Sequence, residues 1–225
     1  MYQKEIFKSS EADNWFRRNR ALYDADSIKD NILLDLLNKL QLSPKIILEI
    51  GCSNGFRLNE IRKEFSCDCY GIDPSSEAIN DGRTKYPYLA LSVATADDLR
   101  FDDGKFDTII FGFCLYLCDR NDLFKIAYEA DRCLKNQGYI IITDFLPPFP
   151  YKNKYSHHPN VYSYKMNYSN MFIWNPVYTE IAQLTYTHSG PIRRDIPDER
   201  IATVILRKNA QFAYPNGPYT DNAYE

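Results

Sequence analysis

The chain has 225 residues, 44% of them hydrophobic and 25% charged, the balance of one globular domain with a sizeable core. Its 27 lysines and arginines against 30 aspartates and glutamates leave a formal net charge of -3. That excludes the disordered class and gives no general pull toward nucleic acid or an anionic membrane.

Residues 1–44 are polar and then helical. Met1-Tyr2-Gln3-Lys4-Glu5 has no apolar signal-peptide core, so the chain reads as cytoplasmic. Ser27-Ile28-Lys29-Asp30 precedes Ile32, Leu33, Leu36, Leu37 and Leu40, one apolar stripe at helical spacing. Ser43-Pro44 closes that helix, because proline disfavours helix in the residue before it. Lys45–Ile50 is a short strand ending in Gly51-Cys52-Ser53-Asn54-Gly55, and a helix with Leu58, Ile61 and Phe65 inward follows. Cys69–Asp73 is the next strand, and Pro74-Ser75-Ser76-Glu77 opens a helix. Residues 89–95 and Phe106–Phe111 give two more strands. Asp122–Leu134 reads as a helix capped by Asn136-Gln137-Gly138, and Tyr139–Asp144 as a fifth strand.

Strands alternating with helices predict a doubly wound α/β fold with helices on both faces of a mostly parallel sheet. Leu146-Pro147-Pro148-Phe149-Pro150 then breaks the pattern. Residues 146–176 are irregular and rich in tyrosine, which reads as a substrate lid. Tyr178–His188 and Arg200–Arg207 read as an antiparallel hairpin at the sheet edge, followed by a loose tail. The longest apolar run, near Phe111–Leu117, is too short to span a bilayer. The six cysteines, at 52, 67, 69, 114, 118 and 133, lack paired zinc-ligand spacing and read as reduced thiols, with no metal site.

Strand, Gly51-x3-Gly55 and helix form a turn that lets backbone approach a ligand beside free N–H donors. Asp73 ends the following strand, where such sheets place a carboxylate that accepts ribose hydroxyls. Glu49 is a carboxylate at the end of an apolar strand, costly without a cationic partner, which a ligand ammonium would supply. Asp97 and Asp98 follow the third strand, where a carboxylate can accept from an adenine amine.

With these blocks in order, the chain resembles a class I S-adenosylmethionine-dependent methyltransferase of the small-molecule type. The blocks are Leu48–Gly55, Gly71–Ser75, Ala96–Leu99, Phe106–Ile110 and Leu134–Tyr139, spread over residues 44–145. The family's middle glycine is here Ser53. The resemblance implies a Rossmann-like, mostly parallel seven-stranded sheet with an antiparallel C-terminal hairpin. It implies one domain over 1–210: a helical cap (1–44), a cofactor core (45–145), the aromatic lid (146–176) and the hairpin (177–208), with the tail at 209–225.

S-adenosylmethionine would be the methyl donor and S-adenosylhomocysteine the product. Glu49, Gly51, Cys52, Ser53 and Gly55 would hold its methionine part. Asp73 would bind the ribose. Asp97 with the Ala96 backbone would read adenine, sandwiched by Ile72, Pro74 and Leu99. Phe111 and Phe113 would line the path to the sulfonium.

The expected acceptor is an oxygen or nitrogen of a small polar molecule, with sugars and surface-glycan precursors as one class by fold analogy. Tyr116, Asp144, His157 and His158 are the candidates for taking its proton. Trp15–Tyr23 is a candidate second wall, whose arginines could hold a carboxylate or phosphate. No nucleic-acid or membrane partner is expected, and the oligomeric state stays open. A nicotinamide oxidoreductase would need the three-glycine spacing, which is absent. A non-catalytic module would have a degraded cofactor site, which this is not. A protein acceptor remains an alternative.

Overall fold

The structure, a computed structural model, describes residues 2–23, 32–187 and 196–215, with backbone alone for 22 and 23. Its centre is a seven-stranded sheet in the order β3-β2-β1-β4-β5-β9-β8. The strands are β1 (Ile46–Ile50), β2 (Asp68–Asp73), β3 (Ala90–Val93), β4 (Phe106–Gly112), β5 (Leu134–Phe145), β8 (Tyr178–Thr187) and β9 (Arg200–Lys208). β1 to β5 are mutually parallel, and β9 runs antiparallel between β5 and β8. Strand order reverses between β1 and β4, which opens a crevice at their C-terminal ends, where ligands bind in open α/β sheets.

Alternation along the strands splits the core in two. Ile47, Ile110, Ile141 and Ile205 face one way, under α3 (Ile32–Lys39) and α4 (Phe56–Phe65). Leu48, Ile50, Ile109 and Phe111 face the other, under α6 (Leu123–Cys133) and α7 (Asn170–Ile173). The stripe of Leu33 and Leu37 seats α3 as its spacing predicts. The capping run Ser27–Asp30, residue 188 of the expected strand and the end of the tail lie outside the described residues.

Three expectations change. The helix before β5 stops at Cys133, and β5 begins at Leu134, not at Tyr139. Gln137 takes the left-handed conformation (φ 68°), and the register with β4 shifts between Phe106 and Thr108. An irregularity inside paired strands thus stands where a helix cap was expected. Residues 146–176 are not irregular throughout. They hold a two-stranded sheet of β6 (Tyr151–Lys154) and β7 (Tyr162–Lys165), then α7. Tyr168 and Phe172 from this segment are buried against the main core.

Ahead of the sheet lies a helical strap: α1 (Gln3–Ile6), a π-helical turn (Phe7–Glu11), α2 (Ala12–Asn19) and a 3-10 turn (Arg20–Tyr23). Opposite it, α5 (Ser76–Lys85) is capped by Ser75, whose hydroxyl accepts from the Ala78 N–H.

Gly82 lets α5 lie directly on the turn after β1. A Cβ there would sit 2.2 Å from the Asn54 carbonyl oxygen. Alanine inside a helix normally gains about 1 kcal/mol over glycine. Here the backbone clash outweighs that gain, so Gly82→Ala should destabilise the fold by about 2 kcal/mol. Denaturant unfolding checks it; an unchanged or higher midpoint would refute this packing.

Candidate active site

The turn after β1 is built so that backbone, not side chain, faces the crevice. Gly51 has φ +75°, and a Cβ on it would lie 2.7 Å from Cys114 Cβ. The N–H groups of Gly51 and Cys52 both donate to the Ile72 carbonyl, at 2.9 and 3.1 Å. Ser53 holds the left-handed conformation at φ 51°, which suits the glycine it replaces. Gly55 is the N-cap of α4 and faces Leu89 and Leu91, behind the pocket.

Two carboxylates organise the turn. Asp73 accepts the Ser53 N–H on Oδ2 and the Ser75 N–H on Oδ1, both at 2.9 Å. Each oxygen keeps lone-pair capacity for a further donor. Burial raises its carboxyl to about 6, against the pull of those two N–H groups.

Glu49 is 2% exposed. Its Oε1 accepts from Arg57 in the first turn of α4 at 2.6 Å, while its buried Oε2 has no partner. Burial raises its carboxyl, and the Arg57 charge and hydrogen bond oppose that. An unpaired buried carboxylate oxygen costs several kcal/mol, roughly, unless a ligand donor meets it. The Ser53 hydroxyl is likewise buried without a partner.

These groups line a cavity of about 340 Å³ with Ile72, Pro74, Ala96, Asp97 and Phe113. The strap closes it through Lys4, Phe7, Ala12, Trp15 and Asn19. Lys4 Nζ bridges Asp97 Oδ2 (2.7 Å) and Asp122 Oδ2 (2.9 Å). At the other end of the strap Asp13 accepts from the Ser75 and Ser76 hydroxyls and from the Glu77 N–H, at 2.7, 3.3 and 3.0 Å.

Tyr116 lines the cavity, and its hydroxyl is hydrogen-bonded to the Trp15 side chain. Burial keeps that phenol protonated far above neutral pH. Its ring joins Phe113 and Phe145 in a cluster with centroids 4.9 to 5.2 Å apart. Asp144 holds the loop beneath: its Oδ2 accepts the Leu115 and Tyr116 N–H groups at 3.0 and 3.3 Å. Burial raises its carboxyl to about 7, against those N–H groups.

The crevice therefore gathers Glu49, Gly51, Cys52, Ser53, Asp73, Pro74, Ala96, Asp97, Phe113 and Tyr116 from the sequence expectations. Others lie elsewhere. Phe111 is fully buried, 6.1 Å from Phe172, because strand alternation turns it into the core. Leu99 is packed in the same core, and Ile126 of α6 lines the cavity instead. Asp98 pairs with Arg100 at the surface.

His157 and His158 sit at the tip of the β6–β7 hairpin. His157 is exposed against the Tyr155 ring, and His158 Nδ1 accepts the Asn160 N–H. Neither lines the cavity, nor does any residue of 146–176. Pairing of β6 with β7 carries the histidines outward, and Tyr155 instead buttresses the strap through Glu11 and Arg18.

Strap arginines are spent on the protein itself: Arg17 on Glu77, Arg18 on Glu11 and Arg20 on Asp81. Two site residues had no clear signal in the sequence. Arg57 lies eight positions beyond Glu49, in the first turn of α4, and Lys4 lies in the polar N-terminal run. Among the described residues no cluster of histidine, cysteine, aspartate or glutamate could hold a metal ion, and no helix is long and apolar enough to cross a membrane.

Sheet order, turn and carboxylates have the arrangement that the resemblance to class I S-adenosylmethionine-dependent methyltransferases implies. In agreement, the family described as "Methyltransferase domain" matches residues 47–138. A ubiquinone/menaquinone biosynthesis C-methyltransferase of Citrifermentans bemidjiense is 35% identical over 114 residues, 45% of this chain and 46% of that one. A tRNA U34 carboxymethyltransferase of Campylobacter curvus is 32% identical over 149 residues, 60% of this chain and 47% of that one. The chain thus spans about half the length of the curated relatives it matches. In fold it is similar to the 1,6-didemethyltoxoflavin-N1-methyltransferase of Burkholderia thailandensis, solved with S-adenosylhomocysteine bound. That likeness has a TM-score of 0.69 at 12% identity and covers 91% of this chain and 88% of the other.

Ser53 gives a direct check on the turn. Ser53→Gly removes a left-handed penalty of roughly 1–2 kcal/mol and an unpaired hydroxyl, against roughly 0.5–1 kcal/mol of glycine entropy. The variant should therefore unfold at a higher denaturant midpoint; a lower one would mean that the hydroxyl has a stabilising role.

Proposed function

We propose that the protein transfers a methyl group from S-adenosylmethionine to an oxygen or nitrogen of a small polar acceptor. The observation that carries this reading is the unpaired, buried Oε2 of Glu49, aimed at a crevice that also holds Asp73 and Asp97. A ligand ammonium satisfies Glu49, ribose hydroxyls donate to Asp73, and an exocyclic amine donates to Asp97. No other common nucleoside cofactor carries all three at once. The residues present fit S-adenosylmethionine, which when bound supplies a methyl group activated by its sulfonium.

The chain's own contribution is alignment and exclusion of water. The turn 51–55 and Arg57 with Glu49 hold the amino-acid end. Phe113 and Trp15 wall the cavity, and their faces favour a cation beside them. Tyr116, protonated at neutral pH, orients an acceptor as a hydrogen-bond donor and does not act as its base. Aromatic walls stack equally on the C–H face of a sugar and on a flat ring. Sugars and surface-glycan precursors are the first class to screen, with hydroxylated rings second. A tRNA arm belongs in the same screen, because one of the relatives bears a tRNA-modifying name.

Thermal unfolding with S-adenosylhomocysteine, S-adenosylmethionine or NADH tests the cofactor. Saturation at about 100 times the dissociation constant adds about 2.7 kcal/mol, a rise of a few degrees. Stabilisation by the two sulfur nucleosides alone is the expected result, and stabilisation by NADH alone overturns the reading. Asp73→Ala should weaken S-adenosylhomocysteine by about tenfold or more, as loss of a charged hydrogen-bond acceptor does; a change within about twofold would misplace the ribose.

The same carboxylate sets a pH dependence. Asp73 accepts ribose hydroxyls when ionised and is raised to about 6. Affinity should be level above that pH and fall as pH drops through it, by up to about tenfold per unit. Asp73→Asn should flatten the profile, and titration calorimetry at several pH values reads both.

A further inference from the structure

Beside the end of β3, the cavity wall contains an ion-pair arrangement around Asp97 whose lysines the cofactor reading leaves unused. Asp97 is 7% exposed. Two ammonium groups approach the same oxygen, Oδ2: Lys4 at 2.7 Å and Lys125 at 3.9 Å. Lys4 also reaches Asp122 at 2.9 Å.

The backbone that carries Lys4 is pinned independently of its side chain. Asp119 accepts the Gln3 N–H on Oδ1 and the Lys4 N–H on Oδ2, at 3.0 and 2.8 Å. The Gln3 side chain donates to the Leu117 and Tyr162 carbonyls and accepts the Tyr162 N–H. Lys4 is thus delivered to Asp97 by a fixed scaffold, and it engages one oxygen while Oδ1 stays outside the ion pair.

Chemistry gives this arrangement a consequence. An ionised carboxylate only accepts hydrogen bonds, so it takes an exocyclic amine and repels a carbonyl at the same ring position. A buried carboxylate stripped of its cation instead takes up a proton and can then donate to a carbonyl. Burial pushes Asp97 up, but the Lys4 hydrogen bond, helped by the Thr95 hydroxyl, the Lys4 charge and Asp97's own N–H, outweighs that and holds its carboxyl below the usual range.

We infer that Lys4 is a specificity-determining residue: by fixing Asp97 as a charged acceptor, it makes the pocket choose an amino over an oxo group on the base of the bound nucleoside. This rests on the reading above that Asp97 faces the base. Lys4 acts through Asp97 and is a positioning residue.

The test is titration calorimetry of the full chain with S-adenosylhomocysteine and its 6-oxo analogue, S-inosylhomocysteine. The unmodified protein should prefer the amino nucleoside by about tenfold or more, since a site built around a hydrogen bond rejects the analogue that lacks it. Lys4→Met should bring the two affinities within about threefold of each other, chiefly by improving the oxo analogue. Lys4→Arg, which keeps the charge, should restore the preference. Lys4→Gln serves in place of Lys4→Met if the latter does not fold. Equal weakening of both nucleosides, with the ratio preserved, would make Lys4 a strut of the strap and overturn the inference. Equal binding of both by the unmodified protein would overturn it as well. Binding of neither by the unmodified protein would overturn the cofactor reading itself, and it shows before any variant is made.

Discussion

Asp73 ties together three pieces of backbone from different parts of the chain. It closes β2, takes the N–H of Ser53 from the turn after β1, and takes the N–H of Ser75 from the cap of α5. Gly82 then allows α5 to lie against Asn54 of that same turn. A carboxylate raised toward neutrality by burial is a costly hub, and the two N–H groups offset part of the cost. Because the turn, the cap and the strand end share this acceptor, the crevice is shaped before any ligand arrives. Preorganisation of this kind limits the ordering that a ligand has to bring about on binding.

The strap completes the crevice from above and depends on the same region. Asp13 sits on the first turn of α5, where free N–H groups and a partial positive charge favour an anion. The β6–β7 hairpin supports the strap from outside through Tyr155. The aromatic segment 146–176 thus acts on the described cavity at second hand, through the strap and through Tyr168 and Phe172 in the core.

Much of this was legible in the sequence, for identifiable reasons. Ile46–Ile50 followed by Gly51-x3-Gly55 is a local pattern with one reasonable geometry, and Asp73 lies at a spacing that the parallel crossover dictates. Ser75 announces its helix by type and position. The misses were long-range. Phe111 and Phe113 are alike in sequence, and the pleat of β4 with the left-handed Phe113 decides which one meets the crevice. His157 and His158 had the right chemistry, but the pairing of Tyr151–Lys154 with Tyr162–Lys165 carries them outward. Lys4 and Asp97 lie 93 positions apart, and no local rule joins a lysine in a polar leader to a carboxylate after a third strand.

The strap is clamped at both ends, by Lys4 and Gln3 on one side and by Asp13 and Arg17 on the other, with the cavity between them. A nucleoside-sized ligand that enters beneath the strap needs one clamp to let go. Its entry is then governed by an internal opening step, so the observed association rate should level off as ligand concentration rises, where simple encounter would keep climbing. The same clamps slow escape by that route, so under the proposed function release of the spent cofactor waits on the strap.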